Sequence, residues 1–235
     1  MPRNPILDLA IAPALANTLF TASRLGVFDL LAGGGMSAPQ LAERARAKSP
    51  VFAVLLDACV AMGLLRVKEG IYTNSHLSNV HLVKGRPHYV GDYLHVQAIE
   101  SAGWQRLHEV IIQGGTPAQY GVDTSVETDR FTMAMNNLAM LGEAEALASA
   151  VDLSGRKTMA DVGCGSGMYS VVLCRHNRDL HSTLLDRDEV LATAQRIVEE
   201  SKLQGRISTR RVDITKDPYG ENLDVVLLSD VLYQD

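Results

Sequence analysis

Residues 158–167 read Thr158-Met159-Ala160-Asp161-Val162-Gly163-Cys164-Gly165-Ser166-Gly167, and this stretch decides the fold. A short apolar run of strand character leads into three glycines at alternate positions, and a helical pattern follows through Leu173. The same alternation then repeats. Ser182-Thr183-Leu184-Leu185-Asp186 reads as a second strand, Glu189 to Lys202 as a helix, Ile207 to Val212 as a third strand ending at Asp213, and Asp224 to Leu228 as a fourth. A β-α-β-α order predicts an α/β fold with a doubly wound parallel sheet of the Rossmann-like type. In such sheets ligands bind outside the carboxyl ends of the strands.

Upstream of residue 158 the pattern is helical. Ile11, Leu15, Leu19, Leu25 and Phe28 recur at near-helical spacing before Gly33-Gly34-Gly35 interrupts the chain. Ser37 with Gln40 forms a capping-box signal, and Ser49-Pro50 starts another helix with Pro50 at its first position. That helix runs to a stop at Gly63. Leu64–Val67 and Ile71–Thr73, either side of Lys68-Glu69-Gly70, read as a small hairpin. Three helices and a two-stranded wing predict a winged helix-turn-helix, a module that often binds DNA. Residues 1–100 hold nine Lys/Arg against seven Asp/Glu, and the helix in the recognition position has no basic residue and one acid, Asp57. A DNA reader needs basic side chains there for phosphate contacts, so a packing or dimerisation module is expected, with no nucleic-acid partner. Its apolar first helix (Leu7, Leu9, Ile11, Leu15, Leu19) is the surface expected to pair with a second subunit.

Between these regions, Trp104 to Val110 reads as one helix ending near Gly114-Gly115, residues 116–126 as a loop, and the stretch with Phe131, Met133, Met135, Leu138 and Met140 as a further helix. Dense methionine fits either plain core packing or an adaptable apolar wall for a flat substrate. The expected division is a dimerisation domain over 1–90, a helical linker and acceptor-pocket region over 91–150, and a partial Rossmann-like domain over 151–235.

Bulk composition narrows the function classes. The 235 residues carry a net charge of −5, which gives no long-range pull toward nucleic acid or an anionic membrane. The N-terminus lacks a signal-peptide pattern, and no unbroken apolar run reaches the roughly 18–20 residues that span a bilayer. Cys59, Cys164 and Cys174 are an odd set at wide spacing and read as reduced thiols. Cys174-Arg175-His176 lacks a second pair of ligands, so no metal is expected. A cytoplasmic protein follows, with no membrane partner.

The glycines let the main chain turn sharply after the first strand and approach a ligand closely. Alone, G-x-G-x-G is a weak signal. Three carboxylates strengthen it: Asp161 before the first glycine, Asp186 at the end of the second strand, where it can accept ribose hydroxyls, and Asp213 at the end of the third, where it can meet an adenine amine. The spacing departs from the dinucleotide form G-x-G-x-x-G. Asp161 would repel a pyrophosphate and attract an ammonium or sulfonium group, so S-adenosylmethionine fits better than NAD.

These segments together resemble the class I S-adenosylmethionine-dependent O-methyltransferases that carry an N-terminal winged-helix dimerisation domain. The resemblance runs through Ala22 to Leu31, Leu41-Ala42, Met62 to Leu65, Gly70 to Tyr72, Trp104, Gly114-Gly115, Phe131 with Met135, the glycine loop, Asp186, Asp213 and Asp224 to Leu232. It implies a homodimer, S-adenosyl-L-methionine as cofactor, and methyl transfer to a small aromatic or polyketide-like acceptor, favoured at oxygen. It implies cofactor contacts from Asp161, Gly163, Gly165 and Gly167, a ribose contact from Asp186 with Arg187 beside it, adenine contacts from Asp213 and Ile214, and a contact from Ser229. Trp104, Phe131 and Met135 would line the acceptor pocket. Two departures stand out. Tyr233 falls where the family has a histidine base, and a phenol with a pKa near 10 is a poor base at neutral pH, so Tyr233 is the catalytic candidate only by position. The chain also ends after the fourth strand, where the family fold continues for about a hundred residues that would cover an apolar edge; the expectation is a C-terminally truncated sheet. An inactive homologue acting as a dimerisation or ligand-binding partner is the alternative function.

Overall fold

Asn4 starts the first helix: its side chain accepts from the Ile6 N–H at 3.0 Å, Pro5 occupies the first turn, and α1 runs Pro5–Arg24. The computed structural model describes residues 4–48, 50–121 and 126–232. These divide after residue 125 into two units, each with its own core.

In the first unit α1 is followed by α2 (Val27–Leu30), entered through Gly26 at φ 68°. Then come β1 (Met36–Ser37), α3 (Ala38–Arg44), α4 (Val51–Ala61), β2 (Leu65–Lys68), β3 (Ile71–Asn74) and α5 (His76–His81). The Ser37–Gln40 cap forms, with Gln40 Oε1 accepting from the Ser37 N–H at 2.9 Å. Ser49 lies outside the described residues, and Pro50 stands one place before the helix instead of at its first position. Gly63 stops α4 as expected. The Leu64 N–H reaches Cys59 O and the Gly63 N–H reaches Val60 O, which closes a Schellman motif. The hairpin pairs Lys68 with Ile71 across Glu69 and Gly70, both at positive φ. One strand escaped the sequence reading: β1 pairs antiparallel with β3, giving a three-stranded sheet in the order β1-β3-β2. Phe28, Leu41, Leu56 and Leu65 form the core of this unit.

Trp104 to Val110 is not one helix. α6 (Gly91–Trp104) ends at Trp104, and α7 (Leu107–Gln113) begins after a tight turn in which the Arg106 N–H bonds Gly103 O. Gly103, a poor helix former, sits where the first helix gives way. The loop beyond also holds a 3₁₀ turn, Pro117–Tyr120. By length and composition α1 is apolar enough to cross a membrane, despite Asp8, Asn17 and Thr18 within it.

The second unit opens with α8 (Thr128–Leu138), a π-helical turn over Ala139–Glu143, and α9 (Ala144–Ala150). Four parallel strands follow: β4 (Thr158–Val162), β5 (His181–Asp186), β6 (Ile207–Arg211) and β7 (Val225–Leu228), with α10 (Met168–His176) and α11 (Asp188–Glu200) between them. The sheet order is β6-β5-β4-β7, so strands are added first to one side of β4 and then to the other, as in a doubly wound sheet. Met159, Val171, Leu180, Leu184 and Ile197 pack helices onto one face; Ala160, Val162, Leu185 and Val212 build a smaller core on the other.

Candidate active site

Each glycine of the loop after β4 is required for a different reason. Gly163 (φ 66°) would drive a Cβ to 2.3 Å from Val231 Cγ1, and Gly167 (φ 71°) would drive one to 2.6 Å from Leu184 Cδ1. Gly165 (φ 53°) would meet nothing within 4 Å, because it borders open space. The first and third glycines let the loop pack down, and the middle one presents bare backbone to a cavity.

That cavity has a volume of about 580 Å³. Its floor is the loop, with Asp161, Gly163, Gly165 and Ser166. Asp186, Arg187 and Ile214 form one end, and Ser229 reaches it from β7. Its apolar wall is Phe131, Met135, Leu138 and Ala139 from α8 and the turn after it. A second hollow of about 510 Å³ shares Asp186, Arg187 and Ile214 and adds Asp213. The sequence-predicted residues Asp161, Gly163, Gly165, Asp186, Arg187, Ile214, Ser229, Phe131 and Met135 therefore come together, with Asp213 next door. Gly167 does not line the cavity; it caps α10 and packs on Leu184. Trp104 belongs to the first unit, where it is exposed at the end of α6. Tyr233 lies outside the described residues.

The three carboxylates differ in kind. Asp186 Oδ2 accepts from the Gly165 N–H at 3.1 Å and Oδ1 from the Arg187 N–H at 2.8 Å, so β5 and the glycine loop hold one another. Asp161 is buried, and Ser170 Oγ donates to its Oδ2 at 2.6 Å. Burial pushes its carboxyl up to about 7; the Ser170 hydrogen bond opposes the rise and the Asp186 charge adds to it. Asp213 accepts from Thr215 Oγ at 2.6 Å, from the Thr215 N–H at 3.0 Å, and pairs with Lys216 at 3.0 Å. The Thr215 hydroxyl first, then Lys216, lowers it to about 2. Cys164 is buried beside these acids, and desolvation followed by the charges of Asp161 and Asp186 keeps its thiol protonated.

Glu143, Tyr169, Thr132 and Val190 also line the cavity and were not foreseen. Tyr169 had a signal, since it follows the last glycine by two places in the first turn of α10. Glu143 had only the glycine before it: Gly142 sits at φ 119°, where the helix widens to a π turn.

A cavity with bare backbone at Gly165, a carboxylate bonded to that backbone, a buried acid beneath the loop and an apolar wall opposite suits a nucleoside with a cationic amino-acid end. Comparison with known proteins agrees. The family model of the O-methyltransferase dimerisation domain matches residues 7–84, and that of the O-methyltransferase domain matches 98–235. The chain is 33% identical to the 3-hydroxy-5-methyl-1-naphthoate 3-O-methyltransferase of Streptomyces sahachiroi, over 97% of this chain and 68% of that protein. It is 30% identical to the N,N-dimethyltransferase OxyT of Streptomyces rimosus, over 97% of this chain and 69% of that one. The crystal structure of human N-acetylserotonin methyltransferase in complex with SAM superposes with a TM-score of 0.85 at 27% identity, covering 97% of this chain and 70% of that chain. Fold, motif and similarity converge: the chain belongs to the O-methyltransferase family and is an S-adenosyl-L-methionine-dependent methyltransferase.

Proposed function

We propose that the chain methylates a hydroxyl of a small, flat aromatic or polyketide-like acceptor, held between the α8 wall and the donor. The observation that carries this reading is that Phe131, Met135 and Leu138 line the same cavity as Asp161 and Asp186. An apolar wall with few polar groups is how sites hold planar organic ligands. Relatives named for a hydroxynaphthoate and for the tetracenomycin polyketide support it. A nitrogen acceptor is the second reading, favoured by the 30% identity to an N,N-dimethyltransferase.

Within this proposal Asp186 holds the ribose with Arg187 beside it, Ile214 and Asp213 frame the adenine, and Asp161, Gly163, Gly165 and Ser229 face the amino-acid end. Phe131 and Met135 hold the acceptor, with Trp104 assigned to the same pocket on resemblance alone. Bound S-adenosylmethionine supplies an activated methyl group on a sulfonium. The chain's own contribution is then alignment of acceptor and donor in a largely apolar cavity. The hydroxyl proton leaves to solvent from a phenol acidic enough to need no base, while the methyl–sulfur bond breaks, and Tyr233, placed here on resemblance alone, is assigned to positioning the acceptor.

The test is transfer of isotopic label from methyl-labelled S-adenosylmethionine to a panel of hydroxynaphthoates, polycyclic phenols and matching arylamines. Label on phenol oxygen supports the first reading, and label on nitrogen the second. No label on any acceptor, with S-adenosylhomocysteine still bound, would favour an inactive ligand-binding homologue. We also infer a cytoplasmic homodimer. Residues 1–90 serve as a winged-helix dimerisation domain, with 91–150 and 151–235 as acceptor-pocket and donor regions. The apolar face of α1 supports the dimer, and three buried free cysteines support a reducing compartment.

A further inference from the structure

The Glu143–Tyr169 pair on the cavity wall has no part in the assignments above. Tyr169, in the first turn of α10, donates its Oη–H to Glu143 Oε2 at 3.0 Å. Ser229 and Asp230, just past β7, line the same cavity and lie close enough to the phenol to act on it. Three elements thus meet at this side of the cavity: the π turn after α8, the start of α10 and the end of β7. Burial and the Glu143 hydrogen bond raise the Tyr169 pKa, so the phenol stays a neutral donor.

The position of this assembly follows from the course of the loop. Asp186 grips the loop at Gly165, and the chain then passes through Ser166 and Gly167 into α10. If the ribose lies at Asp186, the loop leads away from the nucleoside toward Tyr169. The amino-acid end of the donor carries an α-ammonium. Asp161 lies under the loop with its Oδ2 committed to Ser170, and both oxygens of Asp186 accept backbone N–H groups. Glu143 is an exposed carboxylate on the cavity wall, and one of its oxygens is held by Tyr169. A carboxylate offers about four acceptor sites, so the Tyr169 bond orients it without exhausting it. The tyrosine ring adds a π face that favours a cation.

We propose that Glu143, oriented by Tyr169, binds the α-ammonium of the methyl donor. This rests on the reading of the cavity as the donor site, and the test separates the two. Calorimetric titration of the whole chain would use S-adenosylhomocysteine and 5′-methylthioadenosine, which lacks the amino-acid end. Wild type is expected to bind both. Glu143→Gln is expected to weaken S-adenosylhomocysteine about tenfold, the scale of one charge-assisted hydrogen bond, and to leave methylthioadenosine unchanged. Tyr169→Phe should weaken S-adenosylhomocysteine about threefold with the same selectivity. Retained methylthioadenosine binding reports an intact site in each variant. Unchanged S-adenosylhomocysteine affinity in Glu143→Gln, or an equal loss on both ligands, would overturn the proposal. Wild type binding neither ligand would remove the donor reading itself, and the proposal with it.

Discussion

The Ser170 hydroxyl donates to Asp161 Oδ2 at 2.6 Å and shares a second hydrogen bond, 2.8 Å long, with Ser182 Oγ. All three residues are buried, so the carboxylate at the end of β4 has one strong donor and little solvent. Its pKa in the folded chain stands at about 7 against an ordinary value of 3.8. A group whose pKa is raised on folding holds its proton in the folded state while the unfolded chain releases it. Stability from this group therefore falls as pH rises from about 4 to about 7 and levels off above. Asp161→Asn should remove that slope and make the chain without donor more stable than wild type at pH 8, by a few kcal/mol at most. Melting temperatures of the two proteins across pH 4–9 are the check. Parallel curves would show that the buried charge is not costly.

The same shift links donor binding to pH. A cationic ligand above the loop favours the ionised form of Asp161, so binding below pH 7 must release a proton. S-adenosylmethionine affinity of wild type should rise between pH 6 and pH 8 and flatten beyond, whereas Asp161→Asn should bind more weakly and with little pH dependence. Titrations in two buffers of different ionisation enthalpy would count the released proton.

Gly167 and Gly165 are both in the left-handed region, yet substitutions there should fail differently. At Gly167 the strain of a Cβ at φ 71° combines with collision against the buried Leu184, 2.6 Å away. Backbone strain of about 1–2 kcal/mol and overpacking of about 1–3 kcal/mol point to a severe loss of stability for Gly167→Ala. Gly165→Ala meets open space, so it should cost only the backbone term, but its methyl would stand where the donor approaches. Denaturant unfolding and S-adenosylhomocysteine titration should rank the two in opposite orders.

Asp186→Ala removes the acceptor for two backbone N–H groups, those of Gly165 and Arg187. Since the side chain is half-buried and water can reach the site, stability should fall by only about 1–2 kcal/mol. If Asp186 holds the ribose as proposed, binding of S-adenosylhomocysteine should become undetectable, because that contact and the loop's anchor would both be lost. Affinity within threefold of wild type would remove Asp186 from the ribose.

Legibility in the sequence followed the range of the forces involved. The sequence places β4 at Thr158–Val162 with its bounds intact, and β5, β6 and β7 to within a residue, because short strand-like runs ending at glycine or aspartate and alternating with helices are local signals, even where, as in Ile207–Arg211, the run is mostly polar. The Gly63 stop and the Ser37 cap were legible for the same reason. β1 was not, since two residues become a strand only through pairing of Met36 with Tyr72 across the unit. The break after Trp104 was hidden because helical periodicity continues through it. In the site, the carboxylates at strand ends were readable from topology. The Glu143–Tyr169 pair was not: a 26-residue separation is bridged by a side-chain hydrogen bond and a π turn that no periodicity encodes.

The last prediction concerns α1. Ile6, Leu7, Leu9 and Ile11 are more than half exposed, and only Ala22 of the whole helix is buried in the protomer. Contiguous apolar side chains of this kind mark an interaction surface, and from Leu7 onward this one lies within the match to a dimerisation domain. If two copies cover it, Leu9→Glu places a charge in the apolar interface, where an unpaired carboxylate costs several kcal/mol. Leu9 is 74% exposed, so the fold of the protomer should tolerate the change. Light scattering after size-exclusion chromatography should show wild type as a dimer and Leu9→Glu as a monomer with an unaltered circular dichroism spectrum. A wild type that is monomeric at micromolar concentration would exclude the homodimer. If that monomer also sedimented with lipid vesicles, the apolar length of α1 would belong to a membrane surface, and Leu9→Glu should then abolish the sedimentation.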